Sequence, residues 1–119
     1  PLRAHKGVDT AAEWVVDNGY TQGYSTFWNG NAMTELTGGK LEVWTLQSLD
    51  EDYVPNWLQR KDHLTTDPQH PFLLIDTETD GPAESAGLVQ NGECTEVYND
   101  GRFVIYDFAG ADAVHAAAQ

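Results

Sequence analysis

The segment at residues 19–31 constrains the fold of this chain more than any other, because it places a strand signal between two helix signals. Aromatic and hydroxyl side chains fill residues 23–28, a composition typical of a β-strand. Gly19 suits the left-handed position that ends a helix, and Asn31 suits the cap of a new one. A strand that is flanked by helices on both sides predicts an α/β fold.

Three helices are predicted from local signals. A capping box that begins at Thr10 predicts a first helix over residues 11–18. The turn sequence at residues 29–31 precedes a short second helix over residues 32–36. A first-turn proline predicts a third helix over residues 56–64.

The remaining strands follow from hydrophobic patterns. Residues 40–46 alternate between two faces, and residues 72–76 form the continuous apolar run of a buried parallel strand. Residues 93–98 and 102–108 flank Asn99-Asp100-Gly101, which is a hairpin turn signal. We therefore expect a small, open, mainly parallel sheet of three strands with intervening helices, followed by a C-terminal antiparallel hairpin.

The length of 119 residues predicts a single α/β domain over residues 1–119. Residues 1–8 are interpreted as an approach segment and residues 109–119 as an Ala-rich tail or helix. One cysteine excludes an internal disulfide. Because the chain begins with Pro1 rather than Met, we expect a processed chain or an excised part of a longer protein.

The charge excludes some partners. Nineteen Asp and Glu residues against six Lys and Arg residues give a net charge of −13. Such a field repels nucleic acid and anionic lipid headgroups, so no nucleic-acid partner is expected. The carboxylates are scattered and no calcium-loop pattern occurs, which favours solubility or a salty habitat over cation binding.

No catalytic motif is present in the sequence. The four histidines form no pair at i, i+4, and none of the serines lies in a Gly-x-Ser-x-Gly elbow. Asp62, His63, Asp67 and His70 would form a metal cluster only if their loop folded back on itself. We assign no catalytic residue, no metal ligand and no cofactor.

Candidate ligand-binding residues lie where the predicted strands end, because open parallel sheets bind ligands beyond the carboxyl ends of their strands. Trp28 can stack on a sugar ring, and Asn29 and Asn31 can bind its hydroxyl groups. The alternative is that Trp28 packs in the core, since aromatic rings are large apolar groups, while the two asparagines only form the turn and cap.

Asp76 and Glu78 are the other two candidates. At a spacing of two they, together with Asp80, would share one face of a strand. Paired carboxylates can perform acid–base chemistry on a glycosidic bond or hold a divalent cation. The alternative is a solvated strand end.

The pattern Gly-Tyr-x-Thr-Phe-Trp-Asn-x-Asn at residues 23–31 carries a family resemblance, together with residues 34–44, 57–59 and 71–76. These segments resemble the soluble C-terminal region of bacterial multi-pass membrane glycosyltransferases that use polyprenyl-phosphate sugars. The resemblance covers residues 9–78, and more loosely the closing hairpin.

The resemblance implies an accessory domain on the extracytoplasmic face of the bacterial cell membrane. In that family the catalytic carboxylates lie in loops of the membrane portion, so none is transferred to this chain. The implied role is to position glycan or acceptor, or to stabilise the enzyme. The implied partners are the membrane portion of the same chain and a glycan or lipid-linked sugar.

Two alternatives remain open from the residues. Four Trp and five Tyr residues are consistent with a free carbohydrate-binding module that uses Trp28 or Trp44. The carboxylates near Asp76 are consistent with a small hydrolase.

Overall fold

The computed structural model describes residues 6–46, 70–86, 89–90 and 93–110 of the chain. The elements, in chain order, are α1 (Lys6–Asp17), β1 (Gln22–Thr26), α2 (Phe27–Leu36), β2 (Glu42–Leu46), β3 (Phe72–Asp76), a 3₁₀ turn (Ala83–Ser85), β4 (Cys94–Asn99) and β5 (Phe103–Phe108).

The strands form one five-stranded mixed sheet in the order β2-β1-β3-β5-β4. Strand β1 is parallel to β2 and β3, whereas β5 is antiparallel to β3 and β4. The predicted α/β class is confirmed. The finer prediction agrees only in part, because the C-terminal hairpin is part of the same sheet: β5 lies between β3 and β4, and of the two hairpin strands only β4 lies at an edge. Strand β5 is buried along most of its length, and that apolar surface requires neighbours on both sides.

Strand β3 is the centre of the core. All five of its residues are buried, as its apolar run predicts. Phe72 and Leu74 belong to the cluster on the face covered by α1 and α2, and Leu73 and Ile75 belong to the cluster on the opposite face. Strand β2 alternates in the same way, with Val43 in one cluster and Trp44 and Leu46 in the other, so both of its faces are buried.

Helix α1 begins at Lys6, five residues before the predicted start, so Thr10 lies inside the helix and residues 6–8 are not an approach segment. The reason is packing. Val8 is buried and extends the apolar stripe formed by Ala11, Ala12 and Val15 at helical spacing. The predicted end is confirmed: Gly19 has a φ of +86°, and the Tyr20 amide donates to the Val15 carbonyl.

The junction between β1 and α2 differs from the prediction. Strand β1 ends at Thr26 rather than Trp28, and residues 29–31 are helical rather than a turn. Helix α2 starts directly after the strand, with Thr26 as N-cap and no side-chain capping bond. The local Asn-Gly turn signal is overridden, and the helix that connects the parallel strands β1 and β2 includes residues 29–31.

The C-terminal hairpin is confirmed around Gly101. The predicted third helix at residues 56–64 and the Ala-rich stretch at residues 111–119 lie outside the described residues. In the described part of the chain, no helix combines the length and apolar character needed to cross a bilayer.

Candidate functional site

The carboxyl ends of β1 and β3 bring two of the predicted ligand-binding residues together. Asp76 is the last residue of β3, and Asn29 lies one turn into α2. The Asn29 Nδ2 group donates to Asp76 Oδ2 at 3.4 Å. Parallel strands end at the same edge of a sheet, which explains why residues 47 positions apart meet.

Trp28 and Asn31 lie on α2, but their side chains are outside what the structure describes. Trp44, the other ring considered for sugar stacking, is only 2% exposed and belongs to the core. A buried ring offers no stacking face, so Trp44 is excluded as a binding residue.

Glu78 and Asp80 do not share a strand face with Asp76, which corrects the prediction. The chain turns immediately after β3, and the Asp76 carbonyl accepts from the Thr79 and Asp80 amides at 3.1 and 2.7 Å. The Asp80 carboxylate folds back and accepts from the Asp76 amide at 3.0 Å. A tight turn satisfies these groups where an extended strand would leave them without partners.

Arg102 holds the Asp76 carboxylate in a bidentate ion pair. Its Nε donates to Oδ1 at 3.0 Å and its Nη2 donates to Oδ2 at 2.9 Å. Burial by itself raises the pKa of Asp76, but the hydrogen bonds from Arg102 and from the Glu78 amide outweigh it and hold that pKa below its ordinary value. Asp76 is therefore ionised and fixed in orientation.

Arg102 and Glu78 form the solvent-facing part of this group. Arg102 Nε also contacts Glu78 Oε2 at 3.0 Å, and the guanidinium lies 4.8 Å from the Phe103 ring centroid. The side chains of Arg102, Glu78 and Asp76 are 38%, 66% and 1% exposed. The buried carboxylate thus orients an accessible guanidinium and an accessible carboxylate.

Asp80 has the opposite electrostatic character to Asp76. Burial raises its pKa above the ordinary aspartate value, and the neighbouring Asp76 charge adds to the rise. Hydrogen bonds from the Asp76 amide and the Thr26 side chain only partly offset this shift. Two neighbouring carboxyl groups therefore differ in protonation behaviour, a pattern that occurs in acid–base sites.

We call this group the carboxyl-edge cluster; its members are Thr26, Asn29, Asp76, Glu78, Asp80 and Arg102. It combines amide and guanidinium donors with carboxylate acceptors, which matches the paired donor and acceptor character of hydroxyl groups. Three carboxylates against one guanidinium disfavour an anionic ligand. In the described portion of the structure, no three acidic, His or Cys side chains are grouped to hold a metal ion.

Arg102 was not predicted from the sequence, although one signal points to it. It is the only Lys or Arg after Lys61, in a stretch that contains many acidic residues. A lone cation beside a hairpin turn indicates an ion pair, but only the register of β3 and β5, which pairs Asp76 with Phe103, identifies the partner.

His70 lies with Tyr20 and Asp107 at the opposite end of the central strands, where β1 and β3 begin. Asp107 Oδ1 lies 2.8 Å from His70 Nε2 and accepts from the Tyr20 hydroxyl at 2.5 Å. Burial raises the pKa of Tyr20, and the Asp107 carboxylate raises it further. The other residues of the possible metal cluster, at positions 62, 63 and 67, lie outside the described residues.

Comparison of the chain with protein-family models, with curated proteins and with solved structures finds no match in any of the three. A functional proposal therefore rests on the arrangement of residues described above and on the resemblance carried by residues 9–78 of the sequence.

Proposed function

We propose that this chain is a non-catalytic accessory domain of a membrane-embedded bacterial glycosyltransferase of the polyprenyl-phosphate-sugar type. In this proposal it lies on the extracytoplasmic face of the membrane, next to the membrane portion of its own chain. Its carboxyl-edge cluster binds an uncharged part of a glycan, whether free or lipid-linked. The inference that the domain is part of such an enzyme rests on the sequence resemblance at residues 9–78.

The observation that carries the binding role is the meeting of Asn29 and Asp76 beside the accessible Arg102 and Glu78. Open α/β sheets bind their ligands at this edge. Glu78 can accept from sugar hydroxyls, and the outer N–H groups of Arg102 can donate to them. The excess of carboxylates favours a neutral sugar over a phosphate group.

The non-catalytic role is supported by the state of Asp76. Both of its oxygens are bound to Arg102, and its lowered pKa keeps it from acting as a general acid near neutral pH. In this proposal Asp76 is a positioning residue that orients Arg102.

Calorimetric titration of the domain with short oligosaccharides tests the proposal. We expect E78Q and N29A to weaken glycan binding about three- to tenfold, since each removes one hydrogen-bonding group. E93Q is the matched control, because Glu93 is exposed and precedes β4. The start of β4 pairs with the end of β5 that is away from Arg102. Equal loss in all three variants, or no binding by the wild type, would contradict the binding role.

The absence of sugar transfer and the link to a membrane enzyme are tested in separate experiments. The domain alone should not transfer sugar from a polyprenyl-phosphate donor, and transfer would contradict a non-catalytic role. The parentage predicts a run of about twenty apolar residues upstream of Pro1 in the parent protein. A parent without membrane spans would favour the free carbohydrate-binding module.

A small hydrolase is the second candidate, favoured by the opposite pKa shifts of Asp76 and Asp80. Asp80 would then act as the acid and Asp76 as the fixed carboxylate. Assays of the wild type, D76N and D80N against glycoside and ester substrates decide the question. Activity that is lost in D80N while the circular dichroism spectrum holds would replace the accessory role with hydrolysis.

A further inference from the structure

A groove between α1 and α2 lies away from the carboxyl-edge cluster. It encloses about 480 Å³. Ala12 and Val16 from α1 form its apolar lining, and Leu36 at the end of α2 stands at its side. Leu36 is 45% exposed, which makes it one of two large exposed apolar side chains in the described residues; the other is Val97 on β4.

Acidic side chains line the α1 side of this groove. Asp9, Glu13 and Asp17 follow one another at intervals of four residues, so they share one face of the helix. All three are exposed, and none has an ion-pair partner among the described residues. Lys40 is the single cation in the lining.

The row of acidic side chains at Asp9, Glu13 and Asp17 lowers the stability of helix α1 itself. Like charges at i, i+4 destabilise a helix, and Asp17 places a negative charge at the negative end of the helix dipole. The last turn contains no basic residue that would compensate. A sequence that breaks local rules at one surface commonly does so at a functional site.

We propose that the α1–α2 groove docks a basic amphipathic helix of another polypeptide. An apolar row on the partner contacts Val16 and Leu36 above the buried Ala12, while Lys or Arg residues beside that row pair with the carboxylates of α1. Charge complementarity identifies this occupant, because a partner of like charge, including a second copy of this chain, brings further carboxylates to the groove. This inference is independent of the glycan-binding proposal.

The test measures binding of a synthetic peptide by fluorescence anisotropy. The probe is a 14-residue Leu/Lys peptide with leucines at helical spacing, compared with the same peptide carrying Glu in place of Lys. We expect the Leu/Lys peptide to bind and the Leu/Glu peptide not to bind. Failure of the Leu/Lys peptide to bind the wild-type domain would overturn the proposal.

Matched variants separate the groove from the general negative charge. The triple variant D9N/E13Q/D17N should weaken binding about tenfold or more. The control E84Q/E93Q/E96Q removes the same number of exposed charges elsewhere and should change binding less than about twofold. Equal weakening by both triple variants would overturn the proposal, since it would indicate nonspecific attraction.

The apolar contact has its own pair of variants. L36S should weaken peptide binding, whereas V97S changes the other exposed apolar side chain and should not. Both replaced side chains are exposed, so we expect both variants to retain the fold. Sedimentation that shows a wild-type dimer dissociated by L36S would assign the groove to a second copy and overturn the basic partner.

Discussion

At the scale of single residues, Asp76 and Asp80 show how one turn gives two aspartates different properties. The backbone amide of Asp76 donates to Asp80, while the side chain of Asp76 accepts from Arg102. Of the two aspartates, only Asp76 has a cationic partner among the described residues. Its charge is therefore stabilised, while the charge on Asp80 is penalised by burial and by Asp76 itself.

Opposite stability effects of D76N and D80N follow from this difference. D76N should lower the free energy of unfolding at neutral pH by about 2 kcal/mol, a value discounted because Arg102 is partly exposed. D80N keeps an acceptor oxygen and removes the penalised charge, so it should leave that free energy unchanged or raise it. Urea denaturation measures both. A larger loss in D80N than in D76N would contradict the assignment.

Asp76 and Asp80 should make the stability of the fold depend on pH in opposite directions. The lowered pKa of Asp76 gives stability that is present above the ordinary aspartate pKa of about 4 and is lost as the pH falls through the folded value. The raised pKa of Asp80 has the opposite effect, so stability rises as the pH falls through its folded value toward about 4. Urea denaturation at pH values from about 7 to about 3 measures this dependence. The rise in the free energy of unfolding should be absent in D80N, and the fall should be absent in D76N.

At the scale of elements, the contact between β1 and β3 depends on a missing side chain. Gly23 pairs in register with Phe72, and a Cβ atom at position 23 would overlap the Phe72 ring. Phe72 is fully buried, so its ring has no free space to enter. The glycine therefore leaves the space that the Phe72 ring occupies.

The variant G23A should therefore lower the free energy of unfolding by about 1–3 kcal/mol through overpacking. The double variant G23A/F72L should be less destabilised than the sum of G23A and F72L, because the smaller side chain leaves room for the added methyl group. Chemical denaturation of the four proteins forms the double-mutant cycle. Strict additivity would show that the two residues do not compete for space.

Helix α1 gives a second test at this scale. D17N removes an acidic charge from the last turn of the helix, so we expect the free energy of unfolding to rise by about 0.5 kcal/mol. E93Q, outside any helix or strand, should leave it nearly unchanged. Urea denaturation at low salt provides the comparison. A loss of stability in D17N would mean that the carboxylate has a stabilising role in the isolated domain.

At the scale of the whole molecule, elements with strong periodicity were predictable from the sequence. The apolar run of β3, the alternation of β2 and the hairpin turn at Gly101 all appear where their patterns indicated. The start of α1 and the junction at Thr26 were predicted wrongly, because local capping and turn signals there yield to packing. Tertiary burial is not visible in a window of a few residues.

The candidate site was predictable only in part, for a similar reason. Strand ends indicated Asn29 and Asp76, and parallel pairing brings them together. Arg102 lies 26 positions from Asp76 and reaches it only through the antiparallel pairing of β3 and β5. The fold-back of Asp80 depends on the turn after β3, which alternation alone cannot predict.

The most direct test of the glycan-binding claim is a nuclear magnetic resonance titration of the domain with a short neutral oligosaccharide. If the carboxyl-edge cluster binds the sugar, the largest chemical-shift changes will occur at the side-chain N–H groups of Asn29 and Arg102 and at the amide of Glu78. Changes confined to Tyr20 and His70 at the opposite end of the central strands, or no changes at saturating sugar, would contradict it.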